Sequence, residues 1–354
     1  MKNNIGITQR LFFIALVLGF VCITCRQPQQ ISQKKLNALI IDGENNHGIW
    51  PKTTFMMKDY LEQTDLFTVD IQRKANTWQG PHHNVELGER KIEFLLEEYS
   101  LPSDEKTKAV EEPVVDPNFS PDFASYDVVI SNLGWKASIW PEQTQKSFIK
   151  YMQNGGGLVV VHAANNSFGD WDEYNRMIGL GGWGGRSEKD DPYVFYDKDE
   201  ILVRDPSPGQ CGSHGPQHEY IVTTRAADHP VMKGLPAEWL HTKDELYERL
   251  RGPAENMNIL ATAYSDLDKN GPPAAKGVKG TGRHEPMLLT VDYGNGRIFH
   301  TVMGHMDYSM ECIGFMTTFQ RGAEWAASGK VTQQVPSDFP GVNAVSSRKW
   351  RKKM

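Results

Sequence analysis

Apolar and polar residues run along this chain in blocks that read in turn as strand, loop and helix. "LNALIIDG" (36–43) is a continuous apolar run closed by turn residues, which predicts a strand covered on both faces, as in a parallel sheet. After "ENNHGIW" (44–50), Pro51 stands where a first helical turn tolerates proline, and "KTTFMMKDYLEQTD" (52–65) carries apolar residues at helical spacing. "LFTVDIQ" (66–72) alternates Phe67, Val69 and Ile71, the mark of a second strand. The pattern returns with a strand at "YDVVISN" (126–132), a helix over 140–157 opened by Pro141 and stopped by glycines, and a fourth strand at "LVVVH" (158–162). With right-handed crossovers the rule, these repeats predict a doubly wound, mostly parallel α/β sheet.

Two stretches break the rhythm. Residues 76–121 turn polar and rich in Pro and Glu, with one helix expected at 86–99, and read as a surface insertion. Residues 179–220 are rich in Gly, Asp, Pro and Tyr and read as a long lid or rim holding at most a hairpin at 193–205; loops of that length are uncommon unless functional. Further strands are expected at 258–266 and on either side of "YGNGR" (293–297), which makes the last two a hairpin. Counting out from Asn295 sets His284 opposite His305 and carries Arg283, His284 and Glu285 toward the end of the sheet that bears His305. A last amphipathic helix lies at 315–329, the folded domain is expected over 36–330, and the tail 331–354, ending in "SSRKWRKKM", reads as a frayed end.

Composition adds exclusions. A net charge of −6 and a pI near 6.0 leave no basic face for a nucleic acid partner. Lys2 and Arg10 precede an apolar run (11–21) too short to span a bilayer, so residues 1–24 read as an export signal. The run ends in "VCITC", and Cys25, followed by a polar linker (25–35), resembles the acylated cysteine of a bacterial lipobox, although Cys22 stands where Leu is usual. The expected location is therefore outside the cytoplasm, periplasmic or membrane-anchored, with membrane contact only through a lipid on Cys25; plain secretion is the competing reading. Cys211 and Cys312 then remain, as one disulfide or as two buried thiols.

In open α/β sheets ligands bind beyond the carboxyl ends of the strands, near the point where strand order reverses. The first strand delivers Asp42, Glu44 and His47 there, the fourth His162, Asn165 and Asn166, and the last His305 and Asp307. The candidate catalytic residues are His162, His47, His305 and Glu285: neutral imidazoles act as bases near pH 7, and the same three histidines could ligate a divalent metal ion. No HExxH-type spacing accompanies them. The expected substrate-binding shell is Glu44, Asn165, Trp50, Arg283, His284, His218, Glu219, Asp244 and Asp307. Trp135, Trp140, Trp171 and Trp183 suit stacking on sugar rings or plain packing alike. "GLGGWGG" (179–185) lacks the strand and helix that a dinucleotide site needs, so no dinucleotide is expected.

At "GGGLVVVHAA", "DHPVMKGLP", "KDELY" and "YGNGRIFHTVMGH" the sequence resembles the trehalose-utilisation (ThuA-like) family, from about residue 36 to residue 329. "SHGPQHEY", "GTGRHEPML" and "DYSMECIGF" look like its exported bacterial branch. The resemblance implies a flavodoxin-like three-layer sandwich of the class I glutamine amidotransferase type, in which a nucleophilic Cys occupies a sharp elbow after a central strand. His162 holds that place here, which argues against Cys-dependent amidotransferase chemistry. The resemblance further implies handling of disaccharides through 3-keto sugars made by a partner oxidoreductase. A 3-keto group acidifies the neighbouring C–H, so a His base allows elimination, hydrolysis or isomerisation, with a metal, Arg283 or a second His polarising the ketone and Glu285 or Glu219 orienting an imidazole. The alternative is a non-catalytic sugar- or glycan-binding protein on the same fold.

Overall fold

The computed structural model describes residue 1 and residues 34–88, 91–102, 107–271 and 279–352. The leader, Cys25 and most of the linker, on which the export reading rests, lie outside them. Among the described residues the main sheet has eleven strands: β1 (Leu36–Asp42), β2 (Phe67–Arg73), β3 (Val128–Ser131), β4 (Gly157–Val161), β5 (Tyr193–Tyr196), β6 (Leu202–Asp205), β7 (His218–Thr224), β8 (Glu238–Asp244), β9 (Met257–Tyr264), β10 (His284–Tyr293) and β11 (Gly296–Thr301). The helices are α1 (Trp50–Glu62), α2 (Pro81–Leu87), α3 (Ile92–Glu98), α4 (Glu142–Gln153), α5 (Asp172–Ile178), α6 (Asp307–Met310) and α7 (Ile313–Ser328).

The spatial order is β8-β7-β9-β10-β11-β4-β3-β1-β2. From β2 to β11 every neighbouring pair is parallel, and from β11 to β8 every pair is antiparallel. The parallel half, β2-β1-β3-β4-β11, has the flavodoxin-like order, with its reversal between β1 and β3. The continuous apolar runs belong to this half: β3 and β4 are buried at every residue, as strands covered by helices on both faces must be. Because the chain moves outward from β1 to β2 but the other way from β3 to β4, right-handed crossovers put α1 and α4 on opposite faces. Trp140, Phe123, Phe148 and Trp171 form one aromatic core against α4.

The hairpin β10–β11 keeps the expected register, Tyr293 facing Gly296 and Leu288 facing Thr301. The strands part just beyond, because Gly304, at φ +107° and with no room for a Cβ against Phe315, turns the chain away while β10 runs straight on to pair with β9 and β5. His284 therefore faces Tyr196 and never meets His305. The 193–205 hairpin is present as β5 and β6. β8, the edge strand, and β7 beside it are strands that the pattern did not announce: their alternation is interrupted by charged and polar residues because one face meets solvent.

Two further expectations need correction, and one pair of alternatives is decided. Residues 76–121 are more than a surface insertion: they form a short parallel pair, Asn76–Trp78 with Lys108–Val110, and α2, whose His83 and Glu86 reach the loop after β1. The tail is folded against the domain, with Ile313 N–H on Ser346 O at 2.9 Å and the buried Trp350 donating its indole N–H to Asp59 at 2.9 Å. Cys211 and Cys312 are both free and buried, so they form no disulfide with each other.

Candidate functional site

Three loops leave the carboxyl ends of β1, β4 and β11, and each carries one imidazole to the same place. His162 follows β4 directly at φ +45°, an elbow conformation rare for a side-chain-bearing residue. Its Nδ1–H donates to Val302 O at 2.7 Å, which leaves the lone pair on Nε2, and the Tyr247 hydroxyl stands 2.8 Å from that nitrogen. His47 and His305 meet edge to face with ring centroids 4.2 Å apart, and His162 lies 5.2 and 5.3 Å from them. All three rings are buried.

Two carboxylates complete the cluster. Glu86, from α2, accepts from His47 Nδ1 at 2.7 Å and lies 3.4 Å from His305 Nε2. Glu245, just past β8, lies 3.7 Å from His162 Nε2 and 3.6 Å from both His305 Nε2 and His214 Nδ1. Burial alone would raise both carboxyls. The surrounding imidazoles overcome it, pulling Glu86 down to about 2 and Glu245 well below the usual carboxylate range. Burial, with His305 beside it, pushes His47 down to about 4, so its ring is neutral at pH 7. His305 shifts upward against burial, under the pull of Glu245 and Glu86.

Asp244 is the hub behind these groups. Fully buried, it accepts the backbone N–H of Gly304 at 2.8 Å, of His305 at 3.1 Å and of Glu245 at 2.9 Å, and its Oδ2 meets His241 Nε2 at 2.9 Å. Burial opposes its ionisation, yet His241 and these donors hold its carboxyl below the ordinary value. The cluster adjoins a cavity of about 320 Å³ lined by Asn46, His82, Trp135, Asn166, Trp183, Gln217 and Tyr247 along with His47, His214, His305, Glu86 and Glu245, and His162 lies behind this lining. Donor atoms of His47, His162, Glu245 and His305 lie within 4.8 Å of one another, a spacing suited to a metal ion.

The structure thus brings His47, His162 and His305 together and puts Asp244 directly behind them. It places the remaining sequence candidates elsewhere. Glu285 pairs with Arg283 at 2.8 Å and Thr281, Arg283 lies over the Phe195 ring at 3.7 Å, and His284 faces Glu200 and Tyr264. Glu44 is a buried partner of Ser138 and Lys74. Asn165 turns inward to His300 at 3.1 Å, while its neighbour Asn166 faces the cavity. Trp50 is buried in the first turn of α1, His218 sits at 2.8 Å from Pro216 O, Glu219 is exposed on β7, and Asp307 pairs with Lys52 at 2.5 Å. Of the tryptophans, Trp140 and Trp171 are core, whereas Trp135 and Trp183 line the cavity. Glu245, beside Asp244 in "KDELY", carried a visible signal in the sequence, whereas Glu86, Tyr247 and Gln217 complete the site without having been singled out for it.

The chain matches the trehalose-utilisation (ThuA) family over residues 74–326. A crystal structure of a ThuA-like protein from Parabacteroides merdae is 42% identical, with a TM-score of 0.72 over 89% of this chain and 98% of its own. A ThuA-like protein from Bacteroides uniformis, 17% identical, gives a TM-score of 0.50 over 86% of this chain and 97% of its own, a likeness of fold. No curated protein matches the chain.

Proposed function

Since the chain belongs to the trehalose-utilisation (ThuA) family, we propose that it is a carbohydrate-processing enzyme acting on 3-keto sugars or their glycosides. The observation that carries this reading is the gathering of His47, His162 and His305 with the Glu86 and Glu245 carboxylates beside one cavity walled by Trp135 and Trp183. Tryptophan faces suit the apolar faces of sugar rings. A ketone at C3 acidifies the proton on C2. His47 is neutral at pH 7, and its ring is held by Glu86 as a base's ring is held by a carboxylate in acid–base pairs. In this scheme His47 takes the C2 proton, the electron pair forms C1=C2, and the glycosidic oxygen leaves C1 with a proton returned from the cluster. Water adding to that alkene gives net hydrolysis; returning the proton to C2 instead gives isomerisation. The elbow residue is His162 and both cysteines of the domain lie elsewhere, buried, so amidotransferase chemistry has no nucleophile here.

The same proposal takes the protein to be exported through its leader and anchored by Cys25, where it would receive keto sugars from a partner sugar oxidoreductase. Globomycin-sensitive processing of the full chain checks the anchor. The activity is tested by following purified protein with 3-keto-trehalose and other 3-keto-glycosides by NMR and mass spectrometry, beside His47→Ala and His162→Ala. Conversion lost in both variants supports the reading, and the product names the reaction. Saturable binding of the unoxidised sugar, with no conversion of any keto-glycoside, would replace it with a sugar-binding protein on an enzyme fold.

A further inference from the structure

Glu86 and Glu245 have side chains only about one-tenth exposed, and the ion-pair partners that reach them among the described residues are all histidines: His47 and His305 for the first, His162, His214 and His305 for the second. Among the described residues no Lys or Arg forms an ion pair with either. Two carboxylates in so small a buried volume call for a compensating positive charge. Glu245 Oε2 is in addition a buried oxygen with no hydrogen-bond donor.

We infer that His162 Nε2, His305 Nε2 and the Glu245 carboxylate bind one divalent first-row transition ion of the zinc type, with a fourth position open to the cavity. The role of such an ion in turnover rests on the function proposed above, but its binding does not. Spacing selects these three donors. Ligand atoms about 2.0–2.1 Å from a tetrahedral ion stand roughly 3.3 Å apart, close to the 3.7 Å from Glu245 Oε2 to His162 Nε2 and the 3.6 Å from its Oε1 to His305 Nε2, so each carboxylate oxygen faces one imidazole. His47 Nδ1 is only 2.9 Å from His305 Nε2, a hydrogen-bond distance. Its tautomer is also fixed the wrong way for a ligand. Trp135 N–H donates to Asn46 Oδ1 at 2.7 Å, so the Asn46 amide nitrogen faces His47 Nε2 at 3.2 Å and the ring proton belongs on Nδ1, toward Glu86. His47 is thereby left as a base beside the ion.

The surroundings are those of a preorganised metal site. His162 donates its other nitrogen to a backbone carbonyl, the usual way of aiming a ligand imidazole. The Gln217 amide lies 2.8 Å from His305 Nδ1 and is bonded to the Tyr308 hydroxyl, which can donate or accept, so turning the amide over lets its oxygen take the Nδ1–H and frees Nε2 for the ion. One carboxylate, Asp244, fixes the backbone of both Glu245 and His305. The Tyr247 hydroxyl, 2.8 Å from His162 Nε2, has Asn166 as an alternative partner. Two imidazoles and one carboxylate, with no thiolate, suit zinc, cobalt, manganese or ferrous iron better than calcium or magnesium.

The test is metal analysis of protein purified without chelator, followed by removal of metal and titration with Co²⁺ under visible absorption and with Zn²⁺ under thermal melting. The expected result is one equivalent of ion, a tetrahedral-type Co²⁺ spectrum and a raised melting temperature. Affinity should fall at least 100-fold in His162→Ala and Glu245→Gln and stay within about tenfold in His47→Asn. A folded wild-type chain that takes up neither ion overturns the inference, since that result needs no variant to fold. Loss of stoichiometric binding in His47→Asn overturns the three-ligand assignment. Stoichiometric metal without turnover of any keto-glycoside leaves the site standing and removes the proposed substrate.

Discussion

Glu86 accepts the Nδ1–H of His47 and the backbone N–H of Gly48, both at 2.7 Å, so a single carboxylate from α2 fixes the ring and the loop after β1 together. The first bond decides which nitrogen of His47 carries the proton; the second decides where the ring sits. Glu86→Gln keeps an acceptor oxygen but loses the charge that stabilises a protonated His47. Turnover on a confirmed substrate should drop about 10- to 100-fold with KM little changed and the fold intact by circular dichroism. Unchanged kcat would remove His47 and Glu86 from the proton path.

How much of this arrangement could be read from the chain depends on where each residue sits. The parallel half was legible because strands covered on both faces must be apolar throughout, and His47, His162 and His305 were legible because each lies in the loop that follows a strand of that half. β7 and β8 were not, since strands with one wet face break the alternation with residues such as Glu219 and Lys243. Glu86 was hidden for a different reason: it reaches the site from a segment with no sheet period, and only tertiary packing sets it beside His47. Glu285 was misplaced by a sound register carried too far. Pairing is in step up to Met287 and Val302, and Gly304 then sends His305 to the other side.

Asp244 is a fully buried carboxylate whose partners are His241 and three backbone N–H groups. Removing one member of such a network leaves the others unsatisfied in a dry interior, which costs on the order of 3 kcal/mol. Asp244→Ala should lower the unfolding free energy by about that amount, read as a fall in the urea midpoint, and also release His305, so metal affinity and turnover should fall as well. Asp244→Asn, which keeps the shape and one acceptor, should recover most of the stability. Equal recovery of affinity would show that the charge of Asp244 is unimportant to the site.

His300 is fully buried between Asn165 and Ile178 O, and burial pushes it down to about 4; His229 is held down to about 4 in the same way. Between pH 6.5 and 4 the unfolded chain therefore binds protons on these rings that the native chain refuses. Stability is full above pH 6.5 and is lost as the pH falls toward 4, with a contribution from His300 on the order of 3 kcal/mol. Urea unfolding across this range should show the slope, and His300→Gln, which can keep both hydrogen bonds, should flatten it. An identical slope in the variant would place the acid sensitivity elsewhere.

Trp350 shows that the basic tail has a task apart from the site. Its ring is buried against Tyr99 with centroids 6.2 Å apart, its indole N–H donates to Asp59, and its backbone N–H donates to Glu311 at 3.0 Å, between α6 and α7. Four residues earlier Ser346 pairs with Ile313 at the start of α7, and Arg348 pairs with Asp338. The strap therefore joins α1, α3 and α7 on the face away from α4. Trp350→Ala removes a buried aromatic and should cost about 3 kcal/mol, read as a fall in the urea midpoint. None of these residues touches the cavity, so kcat and metal affinity should stay within a factor of two at a temperature where the variant is folded. A variant that keeps its stability would return the tail to the frayed end that its charge suggests. A variant that loses activity while still folded would instead couple α1 and the loop after β1 to the strap.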